Sequence, residues 1–301
     1  MRNVFIKELI NLANKDPSIF LIVGDLGYGV IEEFQNKFPE RFLNVGVAEQ
    51  NMIGVAAGLA KSGYKVFVYS IANFPTFRCL EQIRNDVLYH SLDVTIVAVG
   101  AGFSYGTLGY SHHAVEDISI IRSLRDIKIF SPANAEEIKG SLKIIMNEAG
   151  PSYIRLGKLM KFSHDSLMLN NEPIEIKPGF KEAIFVSGAI AHDAILAINK
   201  VEELTNKSFA IFSIPVVNPL SIPLKILHNF YRIFVVEEHI QNGGLGTALL
   251  EFVTDKKIQC EIVRLGIEKL NPELIGSQDY LKNAHKIDSV GLIKRIMEYN
   301  S

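Results

Sequence analysis

Short apolar runs alternate with amphipathic stretches along the chain. Runs typical of buried strands occupy residues 19–23, 66–69, 94–99, 127–130 and 153–156. Helical spacing of apolar side chains occurs at residues 2–14, 48–61 and 134–148. Continuous apolar strands that alternate with helices are typical of a parallel sheet covered by helices on both faces. The pattern therefore predicts a doubly wound α/β domain.

A polar stretch with helix breakers separates this unit from a second, shorter one. Residues 161–180 contain Pro173 and Pro178 and show little periodicity, which is typical of a linker. After it, strand-like runs at 183–186, 209–212 and 233–236 alternate with helical patterns at 190–204 and 244–253. The sequence thus predicts two α/β domains, at residues 1–160 and 181–301, joined by the linker 161–180.

Composition and charge exclude several classes of protein. The 301 residues are 48% hydrophobic and 21% charged, which is a globular and not a disordered composition. A net charge of −2 gives no sign of a nucleic-acid or membrane partner, and no apolar run reaches transmembrane length. Two cysteines, Cys79 and Cys260, are too few for a disulfide scaffold or a cysteine-rich zinc site. Without a secretory leader, a reducing cytoplasm is the expected compartment.

A glycine-rich segment invites a dinucleotide-binding interpretation that its position does not favour. Residues 100–106 follow a predicted strand and spell G-x-G-x-x-x-G. A nicotinamide or flavin fingerprint belongs on the first strand of the sheet and must open a helix. This segment does neither, so it is better described as a ligand-edge loop of an α/β sheet.

An acidic residue opens a helix with little side-chain bulk. Residues 44–52 read NVGVAEQNM, and Glu49 falls in the first helical turn, where a carboxylate complements the helix dipole. Gly54 and Gly58 follow, and glycine inside a helix costs roughly 0.5–1 kcal/mol. The helix is therefore expected to meet a neighbouring helix or a second subunit closely.

Aromatic and histidine pairs supply further candidates for a site. Phe74 and Phe77 lie one turn apart around Pro75, which suits a helix start; they form either a flat apolar wall or part of the core. His112 and His113 follow the glycine-rich segment and can do acid–base chemistry near neutral pH. They lack companions for a convincing metal site, so no metal ligand is assigned in this chain.

Taken in order, these motifs resemble those of the transketolase family. Residues 44–52, Phe74-x-x-Phe77, the SHH at 111–113, and EEH at 237–239 followed by GGLG at 243–246 occur in the family's sequence order. The resemblance covers essentially the whole chain and matches only the family's C-terminal half. That half is the pyrimidine-binding domain plus the transketolase C-terminal domain.

One family motif is missing, and its absence implies a partner chain. The family holds thiamine diphosphate and Mg²⁺ through a Gly-Asp-Gly sequence with a downstream Asn, and residues 24–26 (GDL) are the nearest match here. The resemblance therefore implies a split enzyme, of α2β2 form, whose N-terminal-type subunit binds most of the diphosphate and Mg²⁺. The glycines of the Glu49 helix would then lie at a subunit interface.

The resemblance also implies roles for individual residues. Glu49 would hydrogen-bond the pyrimidine ring nitrogen of thiamine diphosphate, and Phe74 and Phe77 would stack on that ring. Asp25 matches an acid that faces the cofactor across the dimer. His112 matches a histidine that bonds the donor sugar, with His113 beside it.

The resemblance extends in part to the residues that bind the substrate phosphate in this family. Arg2 keeps the family's spacing from Asp25 for an arginine that binds the acceptor phosphate, although a solvated terminal charge is an equal alternative. Lys158 replaces a second such arginine and loses the bidentate fork, and Arg155, close by on the preceding strand, is the third candidate for binding the substrate phosphate. A hydroxyl-reading aspartate falls on Leu108 and a phosphate-holding serine on Gly29.

The expected function is therefore transfer of a two-carbon ketol unit from a ketose to an aldose, on phosphorylated or modified sugars. The changed hydroxyl-reading position leaves open a pyruvate-using synthase similar to deoxyxylulose-phosphate synthase. The β subunit of a 2-oxo-acid dehydrogenase fits less well because of Arg2 and Lys158. A non-catalytic partner subunit is the remaining alternative.

Overall fold

The computed structural model describes residues 1–124, 126–158 and 170–299. The strands are β1 Ile19–Val23, β2 Phe42–Asn44, β3 Lys65–Ile71, β4 Val94–Val99, β5 Lys128–Phe130, β6 Ser152–Leu156, β7 Ile174–Lys177, β8 Lys181–Ser187, β9 Phe209–Ser213, β10 Val216–Asn218, β11 Phe230–Ile240 and β12 Glu261–Ile267. The helices are α1 Arg2–Ala13, α2 Glu32–Lys37, α3 Glu49–Lys61, α4 Asn73–Phe77, α5 Leu80–Gln82, α6 Asp117–Arg122, α7 Ala135–Asn147, α8 Ala191–Thr205, α9 Leu224–Leu227, α10 Leu245–Asp255, α11 Gln278–Ala284 and α12 Ser289–Met297.

The first sheet has the order β10-β5-β6-β4-β3-β1-β2, and all its neighbours are parallel except β10 and β5. Its central strands are buried on both faces, which is why they read as mainly apolar runs. One core beside the sheet contains α1 and α7, and a second contains α3 and α6. The predicted doubly wound architecture is confirmed for this unit.

The second sheet has the order β12-β11-β8-β9-β7, with a single antiparallel pair at β7 and β9. Residues 174–177, expected to belong to the linker, form this edge strand β7. Four residues between Pro173 and Pro178 are too few to show a periodic pattern, so no strand was predicted there. Residues 159–169 of the expected linker lie outside the described residues.

The two domains are joined more closely than a flexible linker would join them. Strand β10 follows β9 in the second domain yet pairs with β5 of the first sheet, with Val216 opposite Phe130. One hydrophobic core also continues across the junction, from Ile96 in the first sheet to Phe185 in the second. The domains therefore pack as one body around their shared edge.

Across the ranges given above, no helix combines the length and the apolar character that crossing a membrane requires.

Candidate functional site

Glu49 begins α3 and is only 4% exposed. Its Oε2 accepts a hydrogen bond from Arg78 Nη1 at 3.1 Å, and the two side chains form an ion pair. A carboxylate in the first turn of a helix is also favoured by the helix dipole. The structure thus holds a shielded carboxylate in the position predicted from the sequence.

The aromatic pair lies on α4, beside the Glu49 carboxylate of α3. Phe74 is half-buried and Phe77 is 43% exposed. The Arg78 guanidinium carbon lies 4.1 Å from the centroid of the Phe74 ring. The same ring meets His112 edge-on, with centroids 5.2 Å apart. Glu49, the Phe74 ring and His112 therefore belong to one cluster, which is linked by Arg78.

Helix α4 begins two residues earlier than Pro75 suggests. Its first residue is Asn73, and Pro75 sits at the third position, still within the turn whose N–H groups have no helical acceptor. The Asn73 side chain does not cap the helix. Its Nδ2 instead donates to the backbone oxygens of Ser111 at 3.0 Å and His113 at 2.9 Å. Asn73 thereby ties the histidine loop to the aromatic helix.

The surroundings lower the pKa of both histidines. Burial lowers the pKa of His112, and the neighbouring His113 and Arg78 lower it further. Burial likewise lowers the pKa of His113. His113 Nε2 lies 3.2 Å from the Gly106 carbonyl oxygen, which can only accept, so Nε2 carries the proton and Nδ1 keeps a free lone pair.

A cleft of about 310 Å³ opens between these elements. It is lined by Asn73, Phe74, Phe77, Arg78, Tyr110, Ser111, His113 and Glu116. Asn73 Oδ1 and His113 Nδ1 are buried without a hydrogen-bond partner among the described residues. Burial, and then Asp117, raise the pKa of Glu116. The cleft thus combines an apolar wall with unsatisfied polar atoms, which is typical of a site for a small polar ligand.

Three residues of this cluster escaped the sequence analysis. Asn73, Arg78 and Glu116 lie next to motifs that were singled out. The partners of Asn73 and Arg78 lie 29–40 residues away in the sequence. Glu116 faces the other two residues only across the cleft. Position within a motif was the only available signal, because a non-local contact leaves no local pattern.

A second cleft brings together two of the three predicted phosphate-binding residues. Arg2, at the start of α1, and Lys158, after β6, line a cavity of about 350 Å³ together with Ser104 and Tyr105. Both cationic side chains are exposed, and the Val4, Val99 and Leu156 side chains form the apolar part of the wall. The cavity can accept an anionic group between two separate elements.

Arg155 does not join them, which differs from the sequence-based prediction. Its buried Nε donates to both Asp117 oxygens, at 2.9 and 3.1 Å. Its Nη2 donates to the carbonyl oxygens of Ala114 at 2.6 Å and Glu238 at 2.9 Å. A guanidinium bound in this way stabilises the domain junction, because a buried charge requires fixed partners.

The EEH segment at 237–239 also lies at the junction. Glu238 Oε1 accepts from the Phe103 backbone N–H at 2.8 Å and from Gln278 at 2.9 Å. Glu237 accepts from the backbone N–H groups of Leu245 and Gly246, at the start of α10. Gly243 and Gly244 precede α10, which begins at Leu245 within the helical pattern predicted at 244–253.

Asp25 lies on the exposed loop after β1, next to Gly24, where a Cβ would come within 3.9 Å of Glu49 Cγ. It has a left-handed φ of 57°, and its carboxylate accepts from Asn44 Nδ2 at 3.0 Å and the Tyr28 hydroxyl at 2.8 Å. These bonds, with Asn44 contributing most, lower the pKa of Asp25. Asp25 is therefore an ordered, ionised group that faces outward.

Comparisons with known proteins identify both parts of the chain. Residues 1–161 match the transketolase pyrimidine-binding domain, and residues 174–290 match the transketolase C-terminal domain. The chain is 28% identical over 308 residues to one subunit of the apulose-4-phosphate transketolase of Actinobacillus succinogenes, covering 100% of this chain and 98% of that one. It is 33% identical over 307 residues to the putative transketolase C-terminal section of Methanocaldococcus jannaschii, covering 99% and 95%.

Longer relatives and solved structures extend the comparison. The chain is 31% identical to the 1-deoxy-D-xylulose-5-phosphate synthase of Lawsonia intracellularis but spans 47% of that enzyme. A split-gene transketolase, solved as an inactive β4 tetramer, matches with a TM-score of 0.88 at 28% identity over 99% of this chain and 97% of that one. The Campylobacter jejuni transketolase shares the fold, with a TM-score of 0.84 over 46% of its length at 17% identity. This chain belongs to the transketolase family, as a pyrimidine-binding domain followed by the transketolase C-terminal domain.

Proposed function

We propose that this chain is one subunit of a two-chain, thiamine-diphosphate-dependent transketolase that transfers a two-carbon ketol unit from a ketose to an aldose. The observation that carries the proposal is the clustering of Glu49 and His112 with Phe74, Arg78 pairing with Glu49, beside a cleft that Phe74, Phe77 and Arg78 line. The similarity to a single transketolase subunit over nearly the whole of its length supports the two-chain form.

The residues of the cleft fit the pyrimidine end of thiamine diphosphate. Phe74 and Phe77 offer aromatic side chains against which a flat ring can stack. Glu49 offers a shielded carboxylate, and Asn73 Oδ1 and His113 Nδ1 are buried acceptors that lack partners among the described residues. When bound, the cofactor supplies a nucleophilic thiazolium carbon and an electron sink.

The chain's own groups position substrate and move protons. Glu49 would share a proton with the pyrimidine ring nitrogen, in a site that excludes most water. The Ser111 hydroxyl lies 3.0 Å from His112 Nδ1, which occupies that ring nitrogen. Nε2 is the other ring nitrogen, and a donor sugar hydroxyl would bond there. A neutral imidazole with a lowered pKa can both accept and return a proton at pH 7.

A partner chain would complete the site. The Gly-Asp-Gly sequence that holds diphosphate and Mg²⁺ in this family does not occur among the 301 residues. Tyr28 is 72% exposed and Val47 73%, beside the ordered Asp25. On α3, side chains at Gly54 and Gly58 would meet nothing within 4 Å. These features fit an N-terminal-type subunit docked here, with Mg²⁺ bound mainly by it in an α2β2 assembly.

Reconstitution tests the proposed function directly. The chain would be purified gently from its host, and any co-purifying chain with the Gly-Asp-Gly motif would be mixed with it and with thiamine diphosphate. We expect retained cofactor and ketol transfer in the mixture, and neither of them with this chain alone. A stable two-chain complex that binds no thiamine diphosphate would contradict the proposal and favour a non-catalytic partner subunit.

Replacing Arg2 by alanine in the assembled enzyme tests the cleft it shares with Lys158. We expect KM for a phosphorylated acceptor such as glyceraldehyde 3-phosphate to rise about tenfold or more, because a charge-assisted hydrogen bond contributes roughly 1.5–3 kcal/mol. KM for unphosphorylated glyceraldehyde should stay unchanged. Lys7→Ala, an exposed cation on the same helix, is the matched control. An unchanged KM for both acceptors would show that Arg2 is a solvated charge, and an equal rise for both would show that it does not recognise the phosphate.

The pyruvate-using synthase remains the second candidate, because of one position. Leu108, which replaces the family's hydroxyl-reading aspartate, is 55% exposed at the end of a short helical turn. An apolar side chain there relaxes selection for a hydroxylated donor. Release of carbon dioxide from pyruvate by the reconstituted complex would favour this candidate, and its absence together with ketol transfer would exclude it.

A further inference from the structure

The Arg78 guanidinium lies where the proposed function would seat a flat, hydrogen-bonding ring. Its central carbon is 4.1 Å from the centroid of the Phe74 ring, which is a stacking distance. Its Nη1 donates to Glu49 Oε2 at 3.1 Å. One cation therefore makes both an aromatic contact and a hydrogen bond to the carboxylate.

A guanidinium can imitate an aminopyrimidine in these two contacts. Both groups are planar and delocalised, and both present N–H donors in their own plane. A ring face that is covered at van der Waals distance cannot accept a second stacked group. The position of Arg78 over Phe74 is thus incompatible with a pyrimidine stacked on the same face.

Several neighbours stabilise this position of Arg78. Gln50 Nε2 donates to the Arg78 carbonyl oxygen at 3.1 Å, which fixes its backbone against the first turn of α3. The Phe74 ring is held edge-on by His112. Cys79 stays neutral beside Glu49, because burial raises the pKa of its thiol to about 12. The Arg78 cation is therefore the ion-pair partner of Glu49 in the described part of the chain.

The ion pair is asymmetric in a way that permits release. The Glu49 side chain is 5% exposed, whereas that of Arg78 is 50% exposed. A shielded carboxylate without a counter-charge is costly, so the contact stabilises the subunit when no cofactor is bound. The arginine side chain can turn from the lip of the cleft into water, where its charge is well solvated.

From this geometry we propose that Arg78 is a placeholder residue. Its guanidinium covers Phe74 and pairs with Glu49 in the cofactor-free subunit, and it must turn away before the pyrimidine ring can bind. This inference rests on the proposed function and adds a competing contact within the same site. The Arg78 contact therefore stabilises the cleft of the cofactor-free subunit and weakens cofactor binding.

Cofactor affinity of the assembled two-chain protein tests the placeholder. R78M removes the charge and the planar donors but keeps an unbranched, flexible apolar side chain. We expect the Kd for thiamine diphosphate, measured by equilibrium dialysis at fixed Mg²⁺, to fall about tenfold, with faster binding. R78K keeps the charge without the planar fork and should give a smaller decrease. R84M, at an exposed arginine nearby, should bind like the wild type.

The outcomes separate this inference from the proposed function. Unchanged or weaker binding by both R78M and R78K would overturn the placeholder, because Arg78 would then be neutral or a contact of the bound state. A wild-type complex that binds no thiamine diphosphate would overturn the proposed function and the placeholder together. A lower unfolding temperature of the cofactor-free R78M chain combined with tighter cofactor binding would support the inference, since a merely structural role would weaken both.

Discussion

Glu49→Gln in the assembled two-chain enzyme is expected to lower kcat by about 10³-fold, while assembly and the fold are retained. Proton transfer by a positioned side chain contributes roughly 10²–10⁴-fold. The amide keeps the shape of the side chain but cannot take up the proton. Steady-state ketol transfer measures the loss, and sedimentation or size-exclusion chromatography checks assembly.

The matched control for this substitution is Glu136→Gln. Glu136 also lies in the first turn of a helix, α7, but its side chain is 37% exposed and pairs with Lys139. We expect the control to keep full activity. A Glu49→Gln enzyme that retains more than about a tenth of wild-type kcat would be incompatible with the role assigned to Glu49.

Asp117→Ala is expected to destabilise the chain by about 3–5 kcal/mol, the range for a buried ion pair that loses one partner. The substitution leaves the buried Arg155 guanidinium without its carboxylate. It also removes the acceptor of the Tyr153 hydroxyl, which lies 2.9 Å from Asp117 Oδ2. Urea unfolding of the full chain, followed by circular dichroism, measures the change in free energy.

The reference for that measurement is an exposed ion pair of the same chain. Glu203 and Lys200 form a surface pair on α8, and Glu203→Ala should change the free energy of unfolding by no more than about 0.5 kcal/mol. If Asp117→Ala lowered the free energy of unfolding by as little, Arg155 would have to find another partner at the domain junction.

The same ion pair shows how the junction supports the candidate site. Tyr153, which donates to Asp117, also lies 3.1 Å from the Thr76 hydroxyl on α4. Thr76 in turn donates to the Ala72 carbonyl oxygen. This buried contact of Thr76 with Tyr153 places the aromatic helix next to the residues that hold Arg155 at the domain junction. Loss of Asp117 should therefore disturb cofactor binding as well as stability.

Much of the fold could be predicted because its strands are covered on both faces. Ile19–Val23 and Val94–Val99 appear as mainly apolar runs for that reason, and the structure confirms both strands. Strands β7 and β10 could not be found in this way. They are four and three residues long, and β10 pairs with another domain, so no local period marks them.

The candidate site could likewise be predicted only in part. Glu49, Phe74 and His112 stand in motifs whose order in the sequence resembles that of the family, and the structure places them together. The Arg78 contact with Glu49 joins positions 29 residues apart, which no motif records. Arg155 shows the converse, because a cation that is near a predicted phosphate site in sequence is held by the buried Asp117 instead.

Strand β10 has a consequence for how this protein can be divided or recombined. A fragment that ends before Val216 would leave the backbone N–H and C=O groups of β5 unpaired at an open sheet edge, which is a template for aggregation. Chimaeras made between relatives at the boundary of the two domains would pair a β5 and a β10 from different parents. A workable crossover point must therefore lie after Asn218, so that β5 and β10 come from the same parent.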